Sequence, residues 1–261
     1  MFDTTGHEVH RNCINPDHIF RIRQSMMNIM AQFCDVDVNN PNCLDDAFKE
    51  ITAKGGNLRG NVFKVFSNIA DIPLILGESH VQEQLKNFGF KVPVLQSFNM
   101  IAMEPGQNRF LFHRHQDLQS HISFHSVNLW IPLSNGENIG GMGLYDGTYK
   151  LGPLSHITAM DGHLEIPEER FEGNKSTELT DLKIGDIAYF NPYSVHWSIA
   201  NSGSNIRWTL AISIDDGAKA SHLSRSRSPY NPADFVDTRT NEQRLIEADE
   251  GRKSNENIKA K

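Results

Sequence analysis

The amino-acid sequence predicts a mainly β protein whose first third is helical. Up to about residue 90, apolar residues recur at intervals of three and four, which is the period of an amphipathic helix. From Val92 onward they alternate with polar residues, as in strands that bury one face. A chain of 261 residues is long enough for one large core. We therefore expect a single domain over residues 1–250, with a helical part at about 15–90, a β core at about 92–215 and a disordered tail at 251–261.

The helical part is expected to hold four helices. Asn15 and Pro16 are the residue types preferred at an N-cap and at the first helical position. The apolar side chains that follow keep helical spacing up to about Cys34, and the methionines among them are most simply core packing. A second helix is predicted at about 44–54, closed by Gly55 and Gly56. Two more are predicted from about residue 59 and at about 79–88.

The β part is expected to begin with a long strand over residues 94–103, which ends at a Pro-Gly turn. Two more strands are predicted at 110–115 and 127–133. Residues 134–182 are rich in glycine and charged residues, so we expect short strands there and a loop that covers a substrate. Compact strands return over residues 180–213.

Two potential metal ligands lie at the end of the second predicted strand. His115 and Asp117 are two residues apart, so in a strand their side chains leave the same face. His196, within the predicted strand–turn–strand segment 185–197, can supply a third ligand. Two histidines and one carboxylate suit a non-haem Fe(II) ion and leave positions open for substrate and oxygen. We therefore predict that these three residues bind a metal and are catalytic.

An arginine follows the third predicted ligand at a spacing that is compatible with a hairpin. Arg207 lies eleven residues after His196, and residues 201–205 have the composition of a turn. This pattern predicts a hairpin in which Arg207 begins the strand next to that of His196. The arginine would then be near the metal but too far away to bind it. An arginine in a dry pocket suits bidentate capture of a carboxylate.

Taken together, these segments resemble the phytanoyl-CoA dioxygenase family of Fe(II)- and 2-oxoglutarate-dependent oxygenases. The resemblance covers about residues 95–215 and rests on four matching pieces: His115-Gln116-Asp117, residues 126–133, Gly185-Asp186 before His196, and Arg207. It departs at residues 146–149, which read Asp-Gly-Thr-Tyr where many members have Pro-Gly-Ser-His. This departure leaves the predicted metal ligands untouched but weakens any analogy of substrate.

The resemblance implies a double-stranded β-helix, a jelly-roll or cupin-like barrel, flanked by α-helices. It also implies Fe(II), 2-oxoglutarate and O2 as cofactor and cosubstrates, with release of succinate and CO2 and hydroxylation of a C–H bond in a small-molecule substrate. Asp117 favours hydroxylation over halogenation, because related halogenases replace this carboxylate with Gly or Ala. Desaturation and ring closure remain open alternatives.

Further residues receive roles from the resemblance and from their residue types. Arg207 is expected to bind the 5-carboxylate of 2-oxoglutarate. Gln116, Trp130 and Met100 are predicted near the cosubstrate. Strand alternation, however, turns Gln116 away from the metal. For Trp130 and Met100, packing in the core is an alternative. A polar substrate pocket is predicted from four residues: His113, His121, Asn128 and Tyr145.

Two other functions use the same residues. His113 and His115 form the H-x-H pair of cupins, but residues 116–121 lack the glutamate that follows in cupins. A cupin-like metal-dependent isomerase is therefore one alternative. The other is a non-catalytic barrel that only binds a small molecule.

Charge and composition exclude other classes of protein. The 25 basic and 32 acidic residues give a net charge of −7, which argues against binding to nucleic acid. The sequence shows neither an apolar run of membrane-spanning length nor the features of a signal peptide. Its three cysteines are odd in number and form no C-x-x-C pair, so we expect reduced thiols and a cytoplasmic protein. The oligomeric state is not predicted.

Overall fold

The structure, a computed structural model, describes residues 2–37, 43–106, 113–117, 125–158 and 164–219. The predicted tail at 251–261 and His121 lie outside these ranges, as do residues 110–112 of the second predicted strand. None of the helices within the described ranges is long and apolar enough to span a membrane.

The helices lie almost entirely in the first third of the chain. The elements there are α1 (Phe2–Thr5), β1 (His7–His10), α2 (Pro16–Met30), α3 (Leu44–Ala53), α4 (Gly56–Phe66), a 3-10 turn (Pro73–Gly77) and α5 (Ser79–Asn87). The predicted cap at α2 is confirmed, because the Asn15 side chain accepts a hydrogen bond from the Asp17 amide at 3.0 Å. Two boundaries differ from the prediction: α2 ends at Met30, and Gly56 begins α4 instead of closing α3.

The remaining elements are strands and short turns. They are β2 (Pro93–Met103), β3 (Ser126–Pro132), β4 (Gly141–Tyr145), β5 (Ile157–Thr158), β6 (Leu164–Glu165), β7 (Ser176–Leu179), β8 (Ile187–Phe190), β9 (His196–Ile199) and β10 (Arg207–Asp216). The strands predicted at 94–103 and 127–133 are confirmed as β2 and β3. Of the strand predicted at 110–115, the described part includes His115, which forms an isolated antiparallel bridge with His196.

Two antiparallel sheets face each other. The large sheet has the order β1-β8-β3-β10-β2, and the small sheet has the order β7-β4-β9. Through the bridge between His115 and His196, residues 113–117 extend the small sheet beyond β9. From β2 onward, the strands of the barrel alternate between the sheets, except that β4 and β7 both lie in the small one: β2, then 113–117, then β3, β4 and β7, and later β8, β9 and β10. This alternation is the topology of a double-stranded β-helix, so the predicted fold class is confirmed.

The predicted hairpin between His196 and Arg207 is wrong. β9 pairs with β4 in the small sheet, whereas β10 pairs with β2 and β3 in the large sheet. The connection therefore crosses from one sheet to the other, and within it the buried side chain of Asn201 is hydrogen-bonded to the end of β2. The amide nitrogen of Asn201 donates to the Met103 carbonyl at 2.7 Å, and its oxygen accepts from the Gly203 amide at 3.0 Å.

The main core lies between the helices and the outer face of the large sheet. The apolar face of α2 is fully buried, which confirms core packing for its methionines. Trp208 on β10 is also fully buried, and its ring lies 4.9 Å from that of Phe48 on α3. Burying a large apolar side chain stabilises the fold by about 1.5–3 kcal/mol. Because the helices cover the outer face, the inner face of the large sheet is left to line a cavity between the two sheets.

Candidate metal centre

The three predicted ligands converge between the sheets. His115 and Asp117 come from residues 113–117, His196 begins β9, and one ligand atom from each lies within 4.8 Å of the others. The two oxygens of Asp117 lie 3.6 Å from Nε2 of His115 and 3.4 Å from Nε2 of His196. The structure thus brings together two imidazole nitrogens and one carboxylate, and this group can hold a metal ion.

Backbone carbonyls turn the correct nitrogen of each histidine toward the carboxylate. Nδ1 of His115 lies 2.8 Å from the His113 carbonyl, and Nδ1 of His196 lies 3.0 Å from the Ser194 carbonyl. A carbonyl oxygen only accepts hydrogen bonds, so each Nδ1 carries the proton. In the neutral imidazole the lone pair is therefore on Nε2, which is the nitrogen that faces Asp117 and would bind a metal.

Residues 191–194, here called the Pro192 turn, support all three ligands. The carbonyl of Pro192 accepts the Asp117 amide at 2.9 Å, and that of Ser194 accepts Nδ1 of His196. His115 is held indirectly, since it exchanges two backbone hydrogen bonds of 3.0 Å with His196. The relative positions of the ligands are therefore set by backbone geometry.

Electrostatics keeps one histidine neutral. Burial, followed by the charge of His196, lowers the pKa of His115 to about 4. For His196, burial lowers the pKa, but the charge of Asp117 and its hydrogen bond outweigh this effect and raise it. A neutral His115 retains the lone pair that metal binding requires.

A cavity of about 170 Å³ surrounds the three ligands. Trp130 and Asn128 of β3 line it, while a contact of Trp130 with the cosubstrate and of Asn128 with substrate stays a prediction. Asn128, assigned to substrate from the sequence, donates a hydrogen bond of 2.7 Å to Oδ2 of Asp117 and so contacts a ligand. Other residues that line the cavity were not predicted from the sequence: Asn99, Ile101, Met142, Phe190, Trp197, Ser198, Ala211 and Ser213.

Arg207 is buried without a carboxylate partner among the described residues. Only 3% of its surface is exposed, and its Nη1 donates to the Ile199 carbonyl at 2.8 Å. Its Nε has no hydrogen-bond partner in the described part of the chain. Burial lowers the pKa of Arg207 to about 10, so the guanidinium remains charged at neutral pH. A buried charge of this kind is stabilised by binding an anion.

Thr209 adds a second unpaired donor. Ala211 and Ser213 line the cavity, so strand alternation places Thr209 and Arg207 on the same inner face of β10. Thr209 is fully buried, and its Oγ1 has no partner among the described residues. Thr209 was not predicted as a site residue, although its position two residues after Arg207 in a predicted strand is a signal in the sequence.

Two residues predicted near the cosubstrate face elsewhere. Met100 lies in the core beneath the helices, because its neighbours Asn99 and Ile101 point into the cavity. The core alternative is therefore correct for Met100. The amide nitrogen of Gln116 donates to the carbonyls of Tyr193 and Gly152 at 2.6 and 2.9 Å, so this side chain holds loops together outside the cavity lining.

Two other residues predicted for substrate, His113 and Tyr145, lie outside the cavity lining. His113 is 3.6 Å from a carboxylate oxygen of Glu165, and the hydroxyl of Tyr145 accepts a hydrogen bond of 3.3 Å from Arg114. His156 was not predicted as a site residue from the sequence. It is 6% exposed, and burial, followed by the charge of His115, lowers its pKa to about 4. Substrate contacts by His113, Tyr145 and His121 stay predictions.

Comparison by sequence finds one short match. No protein-family model matches the chain. The 1-deoxypentalenic acid 11-beta-hydroxylase of Streptomyces exfoliatus is 32% identical over an alignment of 83 residues, which covers 29% of this chain and 29% of that enzyme. The chain thus aligns with less than a third of the length of this relative.

Comparison by structure extends over most of the chain. The non-haem α-ketoglutarate-dependent carbocyclase SnoK from nogalamycin biosynthesis has a TM-score of 0.54 at 15% identity, with 91% of each chain covered. The non-haem monooxygenase ThoJ, in its apo form, has a TM-score of 0.52 at 16% identity, with 82% of this chain and 75% of ThoJ covered. The chain therefore has the double-stranded β-helix fold that these non-haem enzymes use.

Proposed function

We propose that this protein is an Fe(II)- and 2-oxoglutarate-dependent dioxygenase that hydroxylates a C–H bond of a small molecule and releases succinate and CO2. One observation carries the proposal. A two-histidine, one-carboxylate group faces the cavity between the sheets, and the inner face of the same barrel carries a buried arginine without a carboxylate partner in the described residues. The first group fits Fe(II), and the second fits the distal carboxylate of 2-oxoglutarate.

The side chains divide into three roles. Nε2 of His115, Nε2 of His196 and the carboxylate of Asp117 would hold Fe(II), which when bound supplies the activation of O2. Arg207 and the Thr209 hydroxyl would donate hydrogen bonds to the 5-carboxylate of the cosubstrate. Asn128 orients the Asp117 carboxylate, while Trp130 helps to wall the cavity from water. The ring of Trp130 lies 5.9 Å from the Arg207 guanidinium carbon.

The position of His113 argues against a cupin-type metal site. A cupin would use His113 and His115 together, but the group that converges contains Asp117 in place of His113. Nδ1 of His113 instead lies near Glu165.

Membership of the phytanoyl-CoA dioxygenase family is part of this proposal. It is supported by the order of the four matching sequence pieces and by the hydroxylase relative, whose name describes the same type of reaction. A polar metabolite as substrate and a cytoplasmic location are proposed with it. The described cysteines are unpaired, in agreement with reduced thiols.

The test is an anaerobic titration of Fe(II)-loaded protein with 2-oxoglutarate, followed by visible absorption. We expect the weak charge-transfer band of a chelated keto acid. His196→Ala and Asp117→Ala should lose both metal affinity and the band. Arg207→Met should keep the metal and weaken 2-oxoglutarate binding by at least about thirtyfold, since losing a buried charged partner costs about 2–5 kcal/mol.

His113→Ala is the matched control, because it removes a nearby histidine that the proposal leaves off the metal. It should bind Fe(II) as the parent does. Loss of metal in His113→Ala with retention in Asp117→Ala would instead favour the cupin alternative. A parent protein that binds metal without any effect of 2-oxoglutarate would refute the dioxygenase.

A further inference from the structure

The two residues that flank Arg207 are both held by one carboxylate outside the barrel. Asp45 is the second residue of α3. Its Oδ2 accepts the backbone amide of Ile206 at 2.7 Å, and its Oδ1 accepts the indole Nε1 of Trp208 at 2.8 Å. A single side chain on a helix thus contacts the residue before and the residue after the arginine.

A serine completes the support of the same backbone. The hydroxyl of Ser134 donates to the Ile206 carbonyl at 3.2 Å and accepts the Trp208 amide at 2.9 Å. The Trp208 carbonyl in turn accepts the Leu133 amide at 2.9 Å. The backbone on both sides of Arg207 is therefore tied to neighbouring elements.

Strand alternation links Asp45 to the cavity. Trp208 points out of the barrel, where it is fully buried under Phe48 and Phe66, so Arg207 one residue earlier points inward. Fixing the indole and the Ile206 amide fixes the direction in which the Arg207 side chain leaves the strand. The two hydrogen bonds of a bidentate contact between an arginine and a carboxylate require a defined orientation of the guanidinium. A small rotation of this backbone would therefore weaken both hydrogen bonds.

We propose that Asp45 is a positioning residue for Arg207, and that the start of α3 thereby sets the affinity for 2-oxoglutarate. The inference rests on the proposed function of Arg207. Asp45 does not itself touch the cosubstrate. It acts from the outer side of the sheet, through the backbone that carries the arginine.

The test compares Asp45→Asn with Asp46→Asn. Asparagine keeps the size of Asp45 but has only one acceptor oxygen, so one of the two N–H groups of Ile206 and Trp208 loses its partner. We expect the dissociation constant for 2-oxoglutarate, measured from the charge-transfer band of Fe(II)-loaded protein without turnover, to rise about tenfold. The affinity for Fe(II) should stay unchanged.

Asp46→Asn removes the same charge from the same helical turn. The Asp46 side chain is 81% exposed and lies 3.6 Å from the amine of Lys49. We expect this variant to bind 2-oxoglutarate as the parent does. An equal loss of affinity in both variants would show an effect of helix charge and would overturn the inference.

Trp208→Phe provides a milder second variant that leaves Asp45 in place. It keeps an aromatic ring in the core but removes the indole donor, and we expect about a threefold rise in the same dissociation constant. When Asp45→Asn is combined with Trp208→Phe, it should raise the dissociation constant by a smaller factor than it does in the parent. The reason is that Trp208→Phe has already removed the hydrogen bond between the indole and Asp45.

Two failures are distinguishable. If Asp45→Asn lowers the melting temperature but leaves 2-oxoglutarate affinity at the parental value, Asp45 only stabilises the fold and the inference is wrong, while the proposed function stands. If Fe(II)-loaded parent protein does not bind 2-oxoglutarate, the proposed function fails and this inference fails with it.

Discussion

Asn128 shows how one side chain connects the barrel wall to the metal site. It lies in the middle of β3 with 2% of its surface exposed, and its amide donates to Oδ2 of Asp117 at 2.7 Å. The same oxygen lies 3.4 Å from Nε2 of His196. The amide therefore fixes the orientation in which the carboxylate meets the histidines.

We expect Asn128→Leu to weaken metal binding by about 10–100-fold, the usual effect of losing a hydrogen bond to a metal ligand. Leucine preserves the volume but leaves the Asp117 oxygen without this donor. The measurement is a competition titration of metal-free protein against a chromophoric chelator. Asn99→Leu changes another amide that lines the cavity and should leave metal affinity unchanged. Equal affinities in the parent and Asn128→Leu would contradict the prediction.

For single residues, the sequence predicts those neighbours whose positions follow from a short spacing along one strand. His115 and Asp117 were readable because a strand places residues two apart on one face. The contact of Asn128 with Asp117 was not readable, because it joins residues in two different sheets. Met100 was misplaced for a related reason: the resemblance located the strand, but the face occupied by each residue depends on its register against β10.

Among the elements, the N-terminal segment supports the metal site through the Pro192 turn. β1 pairs with β8, which leads directly into this turn. The carbonyl of Gly6 accepts the Asn191 amide at 2.8 Å and the Ser194 hydroxyl at 3.3 Å. Gly6 has a φ of +84°, and a Cβ there would lie 2.6 Å from both Oγ of Ser194 and Cδ1 of Tyr149.

Gly6→Ala should therefore weaken metal binding, by about tenfold, by displacing the turn that orients the ligands. Gly173→Ala is the matched control, because Gly173 has a φ of +86° but a Cβ there would meet no atom of the described residues within 4 Å. Both variants should lose about 1–2 kcal/mol of stability from left-handed backbone strain. Only Gly6→Ala should change the metal affinity, measured by calorimetry; a change in both would assign the effect to strain alone.

For the whole molecule, the order of helical and β parts was predictable from periodicity, but the path between strands was not. The turn residues at 201–205 predict that the chain reverses its direction. They do not indicate whether the next strand joins the same sheet or the opposite one, because either connection can use the same residue types. The observed path includes a buried contact between Asn201 and the end of β2, which lies about a hundred residues earlier in the chain, and such a non-local contact leaves no local pattern in the sequence.

The helices and the barrel share one hydrophobic core, so we expect them to unfold together. Phe48→Ala removes a fully buried ring that packs on Trp208, and it should lower the free energy of unfolding by about 3–5 kcal/mol. Helical circular dichroism and tryptophan fluorescence should report the same denaturation midpoint. Val65→Ala, at a side chain that is 49% exposed, should change stability by less than about 0.5 kcal/mol. Separate midpoints for the two signals would contradict a shared core.

The crossing from β9 to β10 has a consequence for the motions of the barrel. The proposed metal ligands belong to the small sheet, and the proposed carboxylate-binding arginine belongs to the large one. A cosubstrate held at both ends would therefore link the two sheets, and they could separate only after it left. Amide hydrogens of β9 and β10 would then exchange with solvent more slowly, and in step with each other, when metal and cosubstrate are both bound.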